Sequence, residues 1–302
     1  MADAAPLTHA TVLAAPAAAA VLAGGGGGYI DATFGGGGHS RAILQRMPAA
    51  ARLLALDCDE YAAVRAAEIT DPRFSFARRN FAEIGEAAAE SGSGEINGVL
   101  FDLGVSSMQL DSAERGLSFM RPGPLDMRLD RRRAETAQSL IESCSERELC
   151  GILKEYGEEP EARRVGRAIF ARRGDIKDTA ALAKLVADNK RIRRPGRHPA
   201  TLVFQALRIA VNRELKMLKR GLEAASRLLA LGGRLVVIAF HSAEDRLAKR
   251  VLSAPCFPGM GSVGGAGMRP LGKSAAPDAD EIAANPRARS ARMRVFEKVR
   301  SA

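Results

Sequence analysis

Tryptophan is absent from this chain of 302 residues, and aromatic residues make up only 5%. So few rings exclude a protein whose main surface is a row of base-stacking platforms. The four cysteines, Cys58, Cys144, Cys150 and Cys256, form no Cys-x-x-Cys pair. That spacing argues against a zinc module and a disulfide framework, and no metal is expected. No run reaches the roughly 18 apolar residues of a membrane span. The alanine-rich start lacks a basic leading segment and is broken by Pro16 and Gly24–Gly28, so no signal peptide is read. The expected setting is reduced and cytoplasmic, with no membrane partner.

What is present is positive charge. The formal net charge is +10, which points to a polyanionic partner. The charge is uneven: residues 113–211 hold 21 Lys and Arg against 14 Asp and Glu. Its clusters include Arg131–Arg133, Arg163-Arg164 with Arg167, Arg172-Arg173, and Lys190-Arg191 with Arg193, Arg194 and Arg197. Arg287, Arg289, Arg292 and Arg294 add to the tail. One basic run is usually a solvated face; several in one segment favour nucleic acid.

The most informative stretch is Tyr29-Ile30-Asp31-Ala32-Thr33-Phe34-Gly35-Gly36-Gly37-Gly38-His39-Ser40. A short apolar strand reaches an acid, then a glycine loop, then a helical pattern. Glycines let a ligand lie against bare backbone. A second acid, Asp57, ends the apolar run Leu53–Leu56, twenty residues after Gly37. At that spacing a carboxylate can accept hydrogen bonds from ribose hydroxyls. Two nucleoside cofactors fit. NAD carries a pyrophosphate, which seeks a helix N-terminus away from carboxylates. S-adenosylmethionine is cationic and suits the acid at Asp31 better. A glycine-rich turn without a ligand is the third reading.

Residues 1–28 read as weakly structured. Strands are predicted at Tyr29–Thr33, Arg52–Asp57, Arg73–Ala77 and Ile96–Leu103, with helices at Arg41–Arg46, Tyr61–Ile69 and Phe81–Glu90 between them. Alternation of this kind implies a parallel sheet with right-handed crossovers. From 112 to 210 the pattern is helical and basic, with helices expected at Glu135–Glu142, Glu146–Glu155, Pro160–Arg172 and Thr179–Asp188. This segment reads as a substrate-recognition insert, leaving 1–111 and 211–302 as the cofactor-binding domain. A long helix over Val203–Leu231, stopped by Gly232-Gly233, then leads to a buried strand at Arg234–Phe240. A helix at Ala243–Leu252, a mobile loop at 255–280 and a last strand at Arg294–Val299 complete the expectation.

The remaining motifs carry a resemblance. In order they are Asp102-Leu103-Gly104-Val105-Ser106-Ser107 with Gln109-Leu110-Asp111, Arg115-Gly116, Pro124-Leu125-Asp126-Met127-Arg128, His198-Pro199-Ala200-Thr201, Phe204–Ile209, Phe240-His241-Ser242 with Glu244-Asp245-Arg246, and Asn285-Pro286-Arg287 with Arg289-Ser290. Together they strongly resemble the bacterial 16S rRNA cytosine-N4 methyltransferases, from about His9 to Phe296. All four histidines, His9, His39, His198 and His241, fall on motif positions.

The resemblance implies a class I methyltransferase Rossmann-like sheet with an inserted, mainly helical domain. It implies S-adenosylmethionine as cofactor and 16S rRNA, within the small ribosomal subunit, as partner. Its cofactor contacts carry over to Gly37, Gly38, His39, Asp57, Phe81, Asp102 and Gln109. Asp102 is the candidate proton acceptor and His241 a candidate substrate-side residue. Ala14-Ala15-Pro16 departs from the family pattern and suggests a frayed first helix. Leu202 and Val203 replace an Arg and a polar residue, removing one phosphate contact. Oligomeric state is not legible. Two rival classes stay open at this point: an NAD-linked oxidoreductase, and an RNA-binding or ribosome-assembly factor without catalysis.

Overall fold

The computed structural model describes residues 11–192, 195–196, 198–253 and 267–299. Two compact units divide the chain: Met1–Gly104 with Leu215–Ala302, and Val105–Glu214. The sequence reading drew the insert as 112–210.

In chain order the helices and strands are α1 (Ala14–Leu22), β1 (Gly28–Asp31), α2 (Gly38–Leu44), β2 (Arg52–Leu56), α3 (Glu60–Ala66), β3 (Phe74–Ala77), α4 (Ile84–Ser91), β4 (Ile96–Asp102), α5 (Ser107–Asp111), α6 (Ala137–Ser143), α7 (Glu146–Glu155), α8 (Ala162–Ala171), α9 (Thr179–Asn189), α10 (Thr201–Asn212), α11 (Glu214–Leu228), β5 (Leu229–Ala239), α12 (Ser242–Leu252), β6 (Met268–Pro270), α13 (Ala279–Ala284) and β7 (Arg292–Lys298). The seven strands form one sheet in the order β3-β2-β1-β4-β5-β7-β6. Strands β1 to β5 are parallel, and β7 runs antiparallel to both β5 and β6. The first, second and fourth strands therefore end side by side, at Asp31, Leu56 and Asp102. In open α/β sheets that carboxyl edge is where ligands bind.

Alternation along the central strands explains the layering. Leu235 and Val237 of β5 face one core, with Leu218 and Leu222 of α11 and Leu247 and Val251 of α12. Val236 and Ile238 face the other, with Ala17, Ala18 and Val21 of α1 and Ile43 and Leu44 of α2. Both faces are covered, so the strands read as continuous apolar runs.

The second unit is helical. Leu149 and Leu153 of α7, Val165 and Ile169 of α8, Leu182 and Val186 of α9, and Val203, Leu207 and Val211 of α10 share one core. Helical spacing on each element sets that stripe. Ser145 and Glu148 close a capping box at the start of α7.

Five expectations are corrected. The start is not weakly structured beyond residue 10, for α1 is a helix whose Ala17, Ala18 and Val21 are fully buried. Nor does Pro16 fray it. Pro16 sits in the first turn, where no intrahelical N–H bond is needed. The long helix Val203–Leu231 is two helices, broken at Arg213, whose φ is +52°. The break follows from the buried Asn212 side chain, which donates to Met127 O at 2.8 Å and accepts from Leu129 N at 2.8 Å. The buried strand begins at Leu229 rather than Arg234, and Gly232 lies inside it with φ +78°, beside an irregular register with β4. Finally, the loop expected at 255–280 contains β6 and the first residues of α13. Residues 254–266, with Cys256, lie outside the described residues, as do His9, Arg193, Arg194 and Arg197.

Candidate functional site

Asp31 ends β1 and is fully buried. Its carboxylate is enclosed by the loop it starts: Ser40 Oγ donates to Oδ2 at 2.6 Å, and Thr33 N donates to Oδ1 at 3.2 Å. Burial pushes the Asp31 pKa up, and His39 opposes the rise. Thr33 also links two strand ends, since its hydroxyl accepts from Asp102 N at 2.7 Å.

The glycine loop is tied to the next strand. Gly35 N donates to Asp57 Oδ2 at 2.8 Å, while Asp59 N donates to Oδ1 at 2.9 Å. Asp57 is half-buried, and desolvation pushes its pKa up to about 6, against the pull of those two N–H groups.

The glycines divide into two kinds. Gly37 has φ +81°, and a Cβ there would lie 2.6 Å from the Phe34 ring. At Gly38 a Cβ would meet Thr11 Oγ1 at 1.7 Å. Those two are small because the protein crowds them. Gly35 and Gly36 instead face open space, with nothing within 4 Å of an added Cβ. The open side of the loop therefore lies one turn earlier than Gly37 and Gly38, a distinction the sequence run of four glycines cannot make.

His39 begins α2 and is buried. Its Nε2 stands 3.3 Å from Asp102 Oδ2, out of line for a hydrogen bond, and neither ring nitrogen has a hydrogen-bond partner. Burial disfavours its charge, yet the Asp102 and Asp31 carboxylates, with Glu281, raise the pKa overall. Asp102 Oδ1 is itself a buried oxygen with no partner. Buried polar atoms are rarely left so, and a set of them on one sheet edge is what a polar ligand would satisfy.

Phe81 is half-buried, and its ring meets Phe101 edge-on with centroids 5.8 Å apart. At least part of it is core. Gln109 belongs to the second unit, where its Oε1 accepts from Ser106 N at 2.9 Å and closes the capping box of α5. His241 is the N-cap of α12. Its Nδ1 accepts from Glu244 N at 3.4 Å, and its Nε2 is 3.1 Å from Glu244 Oε1. The structure thus brings together Gly37, Gly38, His39, Asp57 and Asp102, and adds Asp31, Thr33 and Ser40, which sequence reasoning left without a role beyond Asp31's charge. Ser40 could have been found from its position in the first turn of α2, two residues past Gly38 and facing back toward the strand.

Three carboxylates and one imidazole make this edge electronegative. A pyrophosphate would meet the carboxylates Asp31, Asp57 and Asp102, whereas a sulfonium and an ammonium fit them. A Rossmann-like sheet with an antiparallel seventh strand and an acid-lined donor site defines a class I methyltransferase. The chain belongs to the MraW methylase family, whose model matches residues 6–299. It is 48% identical over 308 residues to the ribosomal RNA small subunit methyltransferase H of Chromohalobacter salexigens, covering 98% of this chain and 93% of that protein. The proteins of the same name from Cupriavidus metallidurans and Methylibium petroleiphilum are each 45% identical, covering 97% of this chain and 95% and 96% of theirs.

Proposed function

We propose that this chain moves a methyl group from S-adenosylmethionine to the exocyclic N4 amine of a cytidine in 16S rRNA of the small ribosomal subunit. The observation that carries the chemistry is the partnerless Asp102 Oδ1 beside the buried His39. When bound, the cofactor supplies an electrophilic methyl group on a sulfonium. Asp57 would accept hydrogen bonds from its ribose hydroxyls, and the open backbone at Gly35 and Gly36 would take its methionine portion.

The exocyclic amine is a poor nucleophile because its lone pair is shared with the ring. It must be held at near-attack distance, about 3–3.5 Å. Its N–H becomes acidic only as the new bond forms, so a late acceptor suffices. Asp102 Oδ1 is that acceptor, and His39 holds the carboxylate in place. The target base has to leave its stack to reach such a site, which costs a few kcal/mol. We read His241 as a helix cap rather than a reacting group.

The second unit contributes cations for the RNA backbone. Many of its arginines are held by local acids, such as Arg132 by Asp130 and Arg167 by Glu146. Arg163 and Arg164 on α8 are exposed, and neither has an ion-pair partner among the described residues. They are placed to position phosphates without reading sequence. No described helix is long and apolar enough to cross a membrane. An rRNA substrate supports a cytoplasmic setting.

The test is reaction with small subunits lacking the modification, followed by mass mapping of nucleosides. The expected product is N4-methylated cytidine at one site, lost in Asp102→Ala. Methyl transfer to another atom, or full activity in Asp102→Ala, would overturn the reading.

A further inference from the structure

A second site of opposite charge lies in the same unit as the donor site. A cleft of about 240 Å³ opens between α12 and the β6–β7 edge, with Lys249, Ser253, Lys273, Ser274 and Arg294 on its walls. We propose that this cleft seats a phosphodiester of the substrate RNA; the proposal rests on the RNA reading above.

The backbone supplies the first argument. Leu271 N donates to Val295 O at 2.8 Å, and Ala275 N donates to Met293 O at 2.9 Å. Between these two bonds the chain leaves the sheet edge. Among the described residues, the N–H groups of Gly272, Lys273 and Ser274 donate to no protein acceptor. Gly272 turns this stretch with φ +66°. Adjacent unpaired amides in a turn can converge on an anion.

Charge is the second argument. Asp245 is the acid facing the cleft cations, and both its oxygens are taken. Arg294 donates to Oδ1 through Nε and to Oδ2 through Nη2, and Lys249 Nζ lies 3.2 Å from Oδ2. Lys273 is exposed and has no ion-pair partner among the described residues. Three cations against one carboxylate leave the cleft positive by about two charges, and two serine hydroxyls add donors. A neutral or cationic occupant would gain nothing from this set.

Position is the third. Because β7 is antiparallel to both neighbours, β6 points the same way as β1 to β5. Pro270 pairs with Phe296 and Ala275 pairs with Met293, so the turn between them bulges from the lateral edge of the sheet, beside the second half of the parallel strands. It lies three strands across from β4, about 14 Å at roughly 4.8 Å per strand. An RNA strand delivering a base to the acidic site would pass its flanking backbone over the cleft. The first unit thus presents a negative site for the donor at the carboxyl ends of its strands and a positive one for the nucleic acid at its lateral edge.

The experiment uses the full chain with Lys249→Ala and Lys273→Ala combined, both at exposed positions. RNA affinity is measured against salt, and methyl transfer to small subunits is measured at fixed salt. The slope of log K against log salt should fall by about 0.7, from one lost single-strand phosphate contact. KM for small subunits should rise severalfold, with kcat and S-adenosylmethionine affinity unchanged, and Lys273→Arg should restore much of the loss. An unchanged slope and KM would overturn the seat. So would an inorganic phosphate site that depends on Lys273 while RNA binding does not, which would assign the cleft to a free anion. A wild-type protein that shows the slope loss on mutation but transfers no methyl group would overturn the proposed reaction and leave the seat standing.

Discussion

His39 Nε2 lies 3.3 Å from Asp102 Oδ2, an imidazole from one side of the glycine loop facing the acid that ends β4. The contact joins two strand ends that are 60 or more residues apart in sequence. It also sets a charge: the carboxylates hold the histidine pKa above its ordinary value although burial works against it. A histidine whose folded pKa is raised adds stability that is complete below its unfolded value of about 6.5 and is lost as pH rises through the folded value.

Replacing Asp102 by Asn removes the nearest of those carboxylates. The His39 titration, followed by NMR of its ring protons, should move to lower pH. The decline of stability through neutral pH should flatten with it. Methyl transfer should fall by roughly 10²–10⁴, the usual range for a lost proton acceptor. A His39 titration unmoved in Asp102→Asn would show that the pair is not coupled.

Asp57 makes cofactor binding pH-dependent. Its pKa in the free protein stands near 6, raised by desolvation. Ribose hydroxyls donate to the ionised form, so binding favours loss of the proton. The Kd for S-adenosylmethionine, measured by calorimetry, should tighten as pH rises from 5 to 7 and level off above. Asp57→Asn should bind more weakly and with no such dependence. The same upward shift means this group lowers stability as pH rises from about 4 to 6, the same sense as His39 but in a lower pH window.

His241 is expected to act through the helix it caps. His241→Ala should cost about 1 kcal/mol, the usual loss for a missing N-cap, and lower Tm by a few degrees. Asn at this position can accept the same backbone N–H, so His241→Asn should keep both Tm and kcat. A large fall in kcat for a stably folded His241→Asn would place the imidazole among the reacting groups instead.

In the second unit, Lys190 Nζ lies 2.8 Å from Glu159 Oε2, with both side chains nearly inaccessible. Lys190 also donates to Pro199 O at 3.2 Å, pinning the segment that leads into α10. Removing one partner strands a buried charge. Glu159→Ala should destabilise by about 3–5 kcal/mol, and the double change Glu159→Leu with Lys190→Met should recover most of it. Urea denaturation of the single and double variants checks this.

Much of this was legible in the chain. The strand–acid–glycine order from Tyr29 to Gly38, and Asp57 twenty residues on, announced a nucleoside site because those constraints are local. Helix α7 was legible to the residue, since Ser145 and Glu148 cap it from within four positions. The ordered motifs added the family and its substrate. The break at Arg213 was not legible, because α10 and α11 have compatible apolar spacing. What divides them is Asn212 reaching back to Met127 and Leu129, more than 80 residues earlier. Strand β6 was hidden by its short length and its glycine-rich surroundings, and only pairing with β7 makes it a strand.

The amino-acid order alone determined the element types, the loop chemistry and the excess of positive charge, all set by residues near one another along the chain. The tertiary structure decided which charges meet. Only folding places His39 against Asp102, leaves Gly35 and Gly36 open while Gly37 and Gly38 are crowded, and frees the amides after β6 at the lateral edge of the sheet. Each of these joins residues distant in sequence through the sheet, whose strand order depends on the packing of both its faces.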